Sequence, residues 1–364
     1  MEAIDALIHR DREVTTKVGT NEAIGHEVMS AMHGVVRRGS VSVVIPTRNR
    51  LTLLAQTLHT VLAQDLPAGL DLEVIIVDEA STDDTPNWLA THPDPRVRTI
   101  RHDTPRGLSN ARNAGIAAAT GNWLGFVDDD DLWLPNKLTD QLAAAHATGA
   151  HWAYGGAITF TDGPALLYVS IPDPDLPDRL LFGNTVPGGG SNAIVSRVAL
   201  ERIGDFDPSV DIVADWDLWI RLLQFGPPAV VARPVMAYRI HGANMSRNTP
   251  KMLDGIRTLE HRYAPLRDGE PIDWPNVYRW LHVRSLHHGD RATARSVAMM
   301  ALRAGYPGAA RRLLRTFAPV LPRRPVTDPR DANGMLDLIR PRRVIPWPGD
   351  SEDWLRHAAR IVPG

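Results

Sequence analysis

Along the first 150 residues, short β-branched runs alternate with stretches whose apolar positions recur at helical spacing. Val41-Ser42-Val43-Val44-Ile45, closed by Pro46, reads as a buried strand. Leu51 to Leu62 follows as an amphipathic helix, and Leu72-Glu73-Val74-Ile75-Ile76-Val77 as a second buried strand. The alternation continues with a strand at Val97 to Arg101, an alanine-rich helix at Leu108 to Ala119 and a strand at Trp123 to Val127. Pro135 is placed where the first turn of a helix tolerates proline, and Leu138 to Ala147 continues that helix. Strands separated by helices imply an α/β domain with a parallel sheet covered on both faces. Ligands of such sheets bind beyond the carboxyl ends of the strands. The polar clusters fall there: Pro46 to Asn49, Asp78 to Asp84 and Asp128 to Asp131.

The pattern changes further along. Tyr154 to Asn192 reads as short strands and loops rich in Gly and Pro, and Trp216 to Phe225 as a helix stopped by Gly226-Pro227-Pro228. Residues 1–39 read as a polar helical extension. After Asn248 the chain reads as helical and arginine-rich, with proline breaks at Pro322, Pro325 and Pro329. This divides the chain into an extension (1–39), a central domain (40–246, with halves 40–131 and 132–246) and a helical C-terminal region (247–364).

Composition narrows the function. The 364 residues are 43% hydrophobic and 23% charged, as in a globular protein, and the formal net charge of -2 gives no general attraction for nucleic acid. The absence of cysteine excludes disulfides, thiolate metal sites and cysteine nucleophiles. No apolar run approaches the ~20 residues that span a bilayer, and Met1 to Arg12 lacks a signal core. A cytoplasmic location is expected, with peripheral contact at the inner membrane face left open. Arg303, Arg311, Arg312 and Arg315 read as a solvated helix face or as a basic face toward lipid.

Three acidic sites carry candidate chemistry. Asp128-Asp129-Asp130-Asp131 follows the strand ending in Phe126-Val127. Alternate residues of an extended segment point the same way, so Asp128 and Asp130 are expected to share one side. Hard oxygen ligands suit Mg²⁺ or Mn²⁺ completed by substrate phosphates, and the competing reading is a solvated helix-capping turn. Asp78, at the end of the second strand, either accepts hydrogen bonds from a nucleobase or ribose, or closes an Asx turn. Asp215 opens an apolar helix and is either its N-cap or a general base.

Taken as an ordered series, these segments resemble family 2 glycosyltransferases, the inverting enzymes of the GT-A fold. The resemblance runs over roughly residues 41–246, through VSVVIPTRNR, VIIVDEASTDDT, RGLSNARNAGIAAATGNWLGFVDDDDLWLPNKL, SNAIVSRVALERIGDFDP, ADWDLWIRLLQFG and YRIHGANMS. It implies a Rossmann-like mixed sheet flanked by helices. It also places Asp78 on the donor base with Pro46, Thr47 and Arg48 beside it, and Arg112 near the donor nucleotide or diphosphate. Asp128 and Asp130 become the DxD pair, with Asp129 beside them on the donor side and Asp130 favoured as direct metal ligand. His241 falls on the metal or diphosphate, or is structural, and Asp215 matches the catalytic base.

Two positions depart from the family: Glu79 replaces a common aspartate, which implies a slight change in donor contacts, and Ala214 replaces a glutamate implied in acceptor positioning. The expected function is transfer from a nucleotide-sugar, a UDP-sugar first among donors, to a glycan, lipid-linked or small-metabolite acceptor. The competing readings are a sugar-nucleotide nucleotidyltransferase and a catalytically silent scaffold. Neither the N-terminal helices' docking on the C-terminal region nor a homodimer contact is decided by the sequence.

Overall fold

The computed structural model describes residues 39–161, 166–172, 177–242, 248–287, 289–317 and 358. The expected extension before Gly39 and the proline breaks at Pro322, Pro325 and Pro329 lie outside the described residues.

The described residues give one nine-stranded mixed sheet. Its parallel half is β1 (Gly39–Thr47), β2 (Leu70–Glu79), β3 (Val97–His102) and β4 (Trp123–Phe126). The rest comprises β5 (Leu132–Trp133), β6 (Trp152–Thr161), β7 (Leu166–Ser170), β8 (Ile194–Ser196) and β9 (Ala229–Ile240). The order is β3-β2-β1-β4-β8-β6-β9-β5, with β7 on β6. The purely parallel sheet expected from the alternation stops at β4: β8 runs antiparallel to both β4 and β6, while β9 is parallel to β6. Periodicity reports burial, and strand direction is set by the connections. The outcome is the mixed, helix-flanked α/β arrangement that the GT-A resemblance implied.

Two apolar layers cover the sheet. Val41, Val43 and Ile45 of β1 pack toward α1 (Leu51–Leu62) and α4 (Lys137–Thr148), whereas Val44 packs toward α3 (Leu108–Ala118). Alternation along a fully buried strand divides its side chains between the two faces. The short α2 (Thr85–Ala90) follows β2. Helix α4 begins at Lys137 with Asn136 at its N-cap, so Pro135 precedes the helix and is not in its first turn. Beyond β8 come α5 (Arg197–Ile203) and α6 (Ala214–Phe225).

Among the described residues after Asn248 the helices are α7 (Thr249–Arg262), α8 (Trp274–His287), α9 (Arg291–Arg303) and α10 (Ala309–Arg315). This region shares a core with the central domain. Val213, Trp216 and Ile220 join Met252, Ile256, Val277, Leu281 and Val297 in one buried cluster. Arg303 and Arg311 are exposed. No helix of the described residues is long and apolar enough to cross a membrane.

Gly115 is where α3 touches the sheet. A Cβ there would lie 2.3 Å from Val44 Cγ1 and 2.8 Å from Cγ2. Gly115→Ala should therefore lower stability by about 1–3 kcal/mol despite alanine's helix preference. Urea denaturation checks this, and an unchanged midpoint would show that the helix shifts freely.

Candidate active site

The carboxyl ends of β1, β2 and β4 face one cavity of ≈ 630 Å³, within the ordinary range for small-molecule sites. Its polar wall includes Pro46, Thr47, Arg48, Arg112, Asp128, Asp129, Asp130 and Asp215. Most of the singled-out residues thus converge, although they come from segments up to 169 positions apart (Pro46 to Asp215). Asp78 and His241 are not among the wall residues.

The four aspartates occupy a turn. Asp131 N–H donates to the Asp128 carbonyl at 3.1 Å, so the chain folds back and the shared side expected of an extended segment is replaced by separate environments. Asp128, the most exposed of the four, accepts from Arg112 Nη2 at 2.5 Å and has its backbone N–H on Ser191 Oγ at 3.0 Å. Asp129 accepts from Thr47 Oγ1 at 2.8 Å and from Arg50 Nη1 at 2.9 Å. Asp130 Oδ2 lies 2.9 Å from the same Arg50 nitrogen and 2.8 Å from His241 Nε2. Asp131 accepts the Arg239 N–H at 3.0 Å. Burial, then the charge of Asp130, pushes Asp129 up to about 7 against the opposing pull of Arg50. The same two causes raise Asp131 well above the usual carboxylate range. Buried anions this crowded favour either protons or a further cation.

Among the described residues, no three His, Asp or Glu side chains are arranged to hold a metal ion by themselves. Asp130 and His241 are adjacent, while Asp128 is turned to Arg112. The donor set, hard carboxylate oxygens beside one imidazole, nevertheless fits Mg²⁺ or Mn²⁺ in an open site whose shell a substrate's oxygens would complete.

Asp215 is the second residue of α6, whose N-cap is Val213, so the N-cap reading fails. Its Oδ1 accepts the Trp216 N–H at 2.8 Å and its Oδ2 accepts from Asn184 Nδ2 at 3.1 Å. Burial raises its pKa, and Arg112 nearby opposes the rise. A Cβ on Gly189 would come within 2.9 Å of Asp215 Oδ2, and one on Gly190 within 2.6 Å of Arg112 Nη2. The glycines let the backbone close against both groups. Ala214 is buried in the apolar layer under the sheet.

Asp78 is held by the loop that follows β2. Its Oδ1 accepts the Ser81 N–H at 2.9 Å, its Oδ2 pairs with Arg101, and Ala80 between them has φ +56°. Glu79 is held more tightly by the protein than its resemblance to a donor-contact residue implied. It accepts the Arg106 and Gly107 N–H groups at 2.6 and 2.8 Å and pairs with His102, fixing the loop that leads into α3. Arg50 and Asn184 are contacts that sequence reasoning passed over. Arg50 stood inside the quoted TRNR segment, so its charge beside an acidic run was the available signal, whereas nothing marked Asn184.

Asp217, two residues after Asp215, points the other way. It is fully buried and receives Arg221 Nε at 2.9 Å, Arg262 Nη1 at 2.7 Å and Tyr263 Oη at 2.7 Å, tying α6 to α7.

Residues 42–204 match the family model described as glycosyl transferase family 2. The succinoglycan biosynthesis protein ExoO of Rhizobium meliloti (strain 1021) is 33% identical over 231 residues, covering 60% of this chain and 65% of that protein. That match spans just under two thirds of the relative's length. The UDP-Glc:alpha-D-GlcNAc-diphosphoundecaprenol beta-1,3-glucosyltransferase WfaP of Escherichia coli is 27% identical over 216 residues, covering 58% of this chain and 82% of that protein. A mannosyltransferase of Pyrobaculum calidifontis, solved with GDP-Man and Mn²⁺, has 24% identity and a TM-score of 0.47, covering 80% of this chain and 90% of its own.

Asp217 is a structural anchor by this geometry. Asp217→Ala should cost about 3 kcal/mol, the lower end for breaking a buried pair, because both guanidiniums keep access to water. Equilibrium unfolding measures it, and a loss below half that value would show that α7 docks without the clamp.

Proposed function

We propose a sugar-transfer function from one premise: through residues 42–204 the chain belongs to glycosyl transferase family 2. The reaction is transfer of a sugar from a nucleotide-sugar, with inversion, to a hydroxyl or amine acceptor. The observation that carries it is the meeting of Asp128, Asp129, Asp130, Arg112 and Asp215 in one cavity.

In this reading the acceptor oxygen or nitrogen attacks the anomeric carbon and passes its proton to Asp215. The bond from that carbon to the diphosphate breaks, and the nucleoside diphosphate leaves with the electron pair. Asp215 suits the base because burial makes its carboxylate more basic than a solvated one, while Arg112 keeps it ionisable. Arg112 also sits beside Asp128 at the polar end, where it would meet the diphosphate. Asp130, beside His241, would hold a Mg²⁺ or Mn²⁺ ion, joined by Asp128 once a donor diphosphate takes its place on Arg112, and the bound ion would neutralise charge developing on the leaving diphosphate. Pro46, Thr47 and Arg48 flank the donor's nucleotide. Asp78 serves the base if Arg101 moves aside. The donor favoured is a UDP-sugar, in keeping with the donor in the name of the WfaP relative.

Asp215→Asn retains size and the helix N-terminal position, so it should slow transfer ~10²–10⁴-fold while donor affinity stays within a few-fold. Wild-type turnover in that variant would remove Asp215 from the reaction. Excess EDTA should abolish turnover and Mn²⁺ restore it, as followed by nucleoside diphosphate release. Full activity in chelator would eliminate the metal role. A thermal-shift panel of nucleotides identifies the donor base through linkage.

The pH profile tests the Arg112–Asp215 coupling. Asp215 must be ionised to act, and Arg112 lowers its pKa. Arg112→Met should therefore move the acidic limb of kcat/KM to higher pH. A limb that stays in place would mean that another group titrates.

A further inference from the structure

Asn184 lies in the cavity wall, on the segment that joins β7 to β8. The backbone on either side of it is held by distant parts of the chain. Just ahead of it, the Leu180 carbonyl receives the Trp216 indole N–H at 2.6 Å, the Leu181 carbonyl Arg267 Nη1 at 3.1 Å and the Phe182 carbonyl the Asp273 N–H at 2.9 Å. Just after it, the Pro187 carbonyl receives Asn192 Nδ2 at 2.6 Å. Gly183 and Thr185, its neighbours in the chain, are buried. The place of Asn184 is therefore set by α6 and by two residues of the C-terminal region, independently of what its side chain touches.

The amide is oriented as well. Its Oδ1 accepts the Val186 N–H at 3.3 Å, and a backbone N–H can only donate, so Nδ2 faces the other way. There it donates to Asp215 Oδ2 at 3.1 Å. The other oxygen of the same carboxylate, Oδ1, is held by the Trp216 N–H at 2.8 Å. Gly189 closes on Oδ2 so nearly that a Cβ would stand 2.9 Å from it. Both oxygens are thus fixed, and the plane of the carboxylate is set before an acceptor arrives. A hydrogen bond to the ionised form also favours that form. The charged groups facing Asp215 are Arg112 of α3, which works in the same sense, and Asp128 of the acidic turn, which opposes it. Arg112 is bound to Asp128 too, whereas Asn184 Nδ2 has Asp215 as its partner.

We propose that Asn184 is the positioning residue of the sugar-transfer base: its amide holds the Asp215 carboxylate in the orientation that accepts the proton of the attacking hydroxyl or amine. The inference rests on reading Asp215 as that base. It gives Arg267 and Asp273, which lie outside the 42–204 match, a part in the reaction through the backbone they hold.

Asn184→Asp is the informative variant. It keeps the side chain's shape and an acceptor for the Val186 N–H, and it changes the group facing Asp215 from a donor to a carboxylate. Sugar transfer by the full chain near neutral pH should fall on the order of tenfold to a hundredfold, as for loss of a hydrogen bond to a charged group. The acidic limb of kcat/KM should move to higher pH, because the bond favouring the ionised base is lost and a like charge is added. Asn184→Ala should move the limb the same way by less. Binding of UDP with Mn²⁺, followed by thermal shift, should stay within a few-fold of wild type. A purely structural role predicts lower melting temperatures with an unmoved limb, and an unmoved limb in both folded variants would overturn the proposal. Carboxyl-carbon NMR reads the same ionisation without turnover, with the Asp215 signal assigned by its loss in Asp215→Asn. An Asp215 titration raised in Asn184→Asp, in a protein that transfers sugar from no nucleotide-sugar, would uphold the pairing and overturn the transferase reading. Sugar transfer with Asp215 titrating alike in wild type and both variants would do the reverse.

Discussion

Four consecutive carboxylates at the end of β4 set the terms for the rest of the site. Like charges so close repel, and burial of three of them adds a desolvation cost. Each is matched by a group from a different part of the chain: Arg112 on α3, Thr47 and Arg50 at the end of β1, His241 after β9 and the Arg239 N–H on β9. The carboxyl end of the sheet therefore closes only when these segments come together. Burial, together with the neighbouring charge of Asp130, raises the pKa values of Asp129 and Asp131 in spite of these partners.

The second organising feature is the backbone at Gly188–Asn192, which runs flush against Asp215 and Arg112. Asn192 fixes it by accepting the Gly155 N–H at 2.8 Å and donating to the Gly155 and Pro187 carbonyls at 2.8 and 2.6 Å. Lys137, fully buried, donates to Gln141 Oε1 at 2.7 Å and to the Asn192 carbonyl. Its burial pushes the ammonium pKa well down, the expected response of an amine held by neutral acceptors in an apolar interior. Trp133 Nε1 reaches the Ser191 carbonyl at 2.9 Å, and Ser191 in turn orients the Asp128 N–H. One hydrogen-bonded block thus positions both the acidic turn and the surroundings of Asp215.

Helix α6 serves three surfaces at once. Leu218, Trp219 and Leu222 enter the layer under the sheet, Trp216 and Ile220 enter the C-terminal cluster, and Asp215 reaches the cavity. Asp215 and Asp217 both sit in the first turn, where the helix dipole favours negative charge. Their fates differ because residues two apart on a helix face different directions. Asp217 is committed to Arg221, Arg262 and Tyr263, so the helix that presents Asp215 is braced by α7. The C-terminal region is accordingly a wall of the cavity as well as a separate run of helices.

The sequence by itself determined the strands and helices of the first half, because buried alternation and helical spacing are written locally. Leu51–Leu62 is found with the bounds that its apolar spacing predicted. It also carried the resemblance to family 2 glycosyltransferases, since the acidic run, the TRN segment and the ADWDLW segment occur in order. The antiparallel β8, the turn that separates Asp128 from Asp130, and the removal of Asp78 from the cavity wall were decided by tertiary structure alone. Each depends on a partner far along the chain: β6, Arg112 and Arg50, or Arg101. Local pattern records which residues prefer burial or charge, but it cannot record which distant group will neutralise a carboxylate. That pairing fixes where each aspartate points, and it exists only once the sheet has brought its strand ends together.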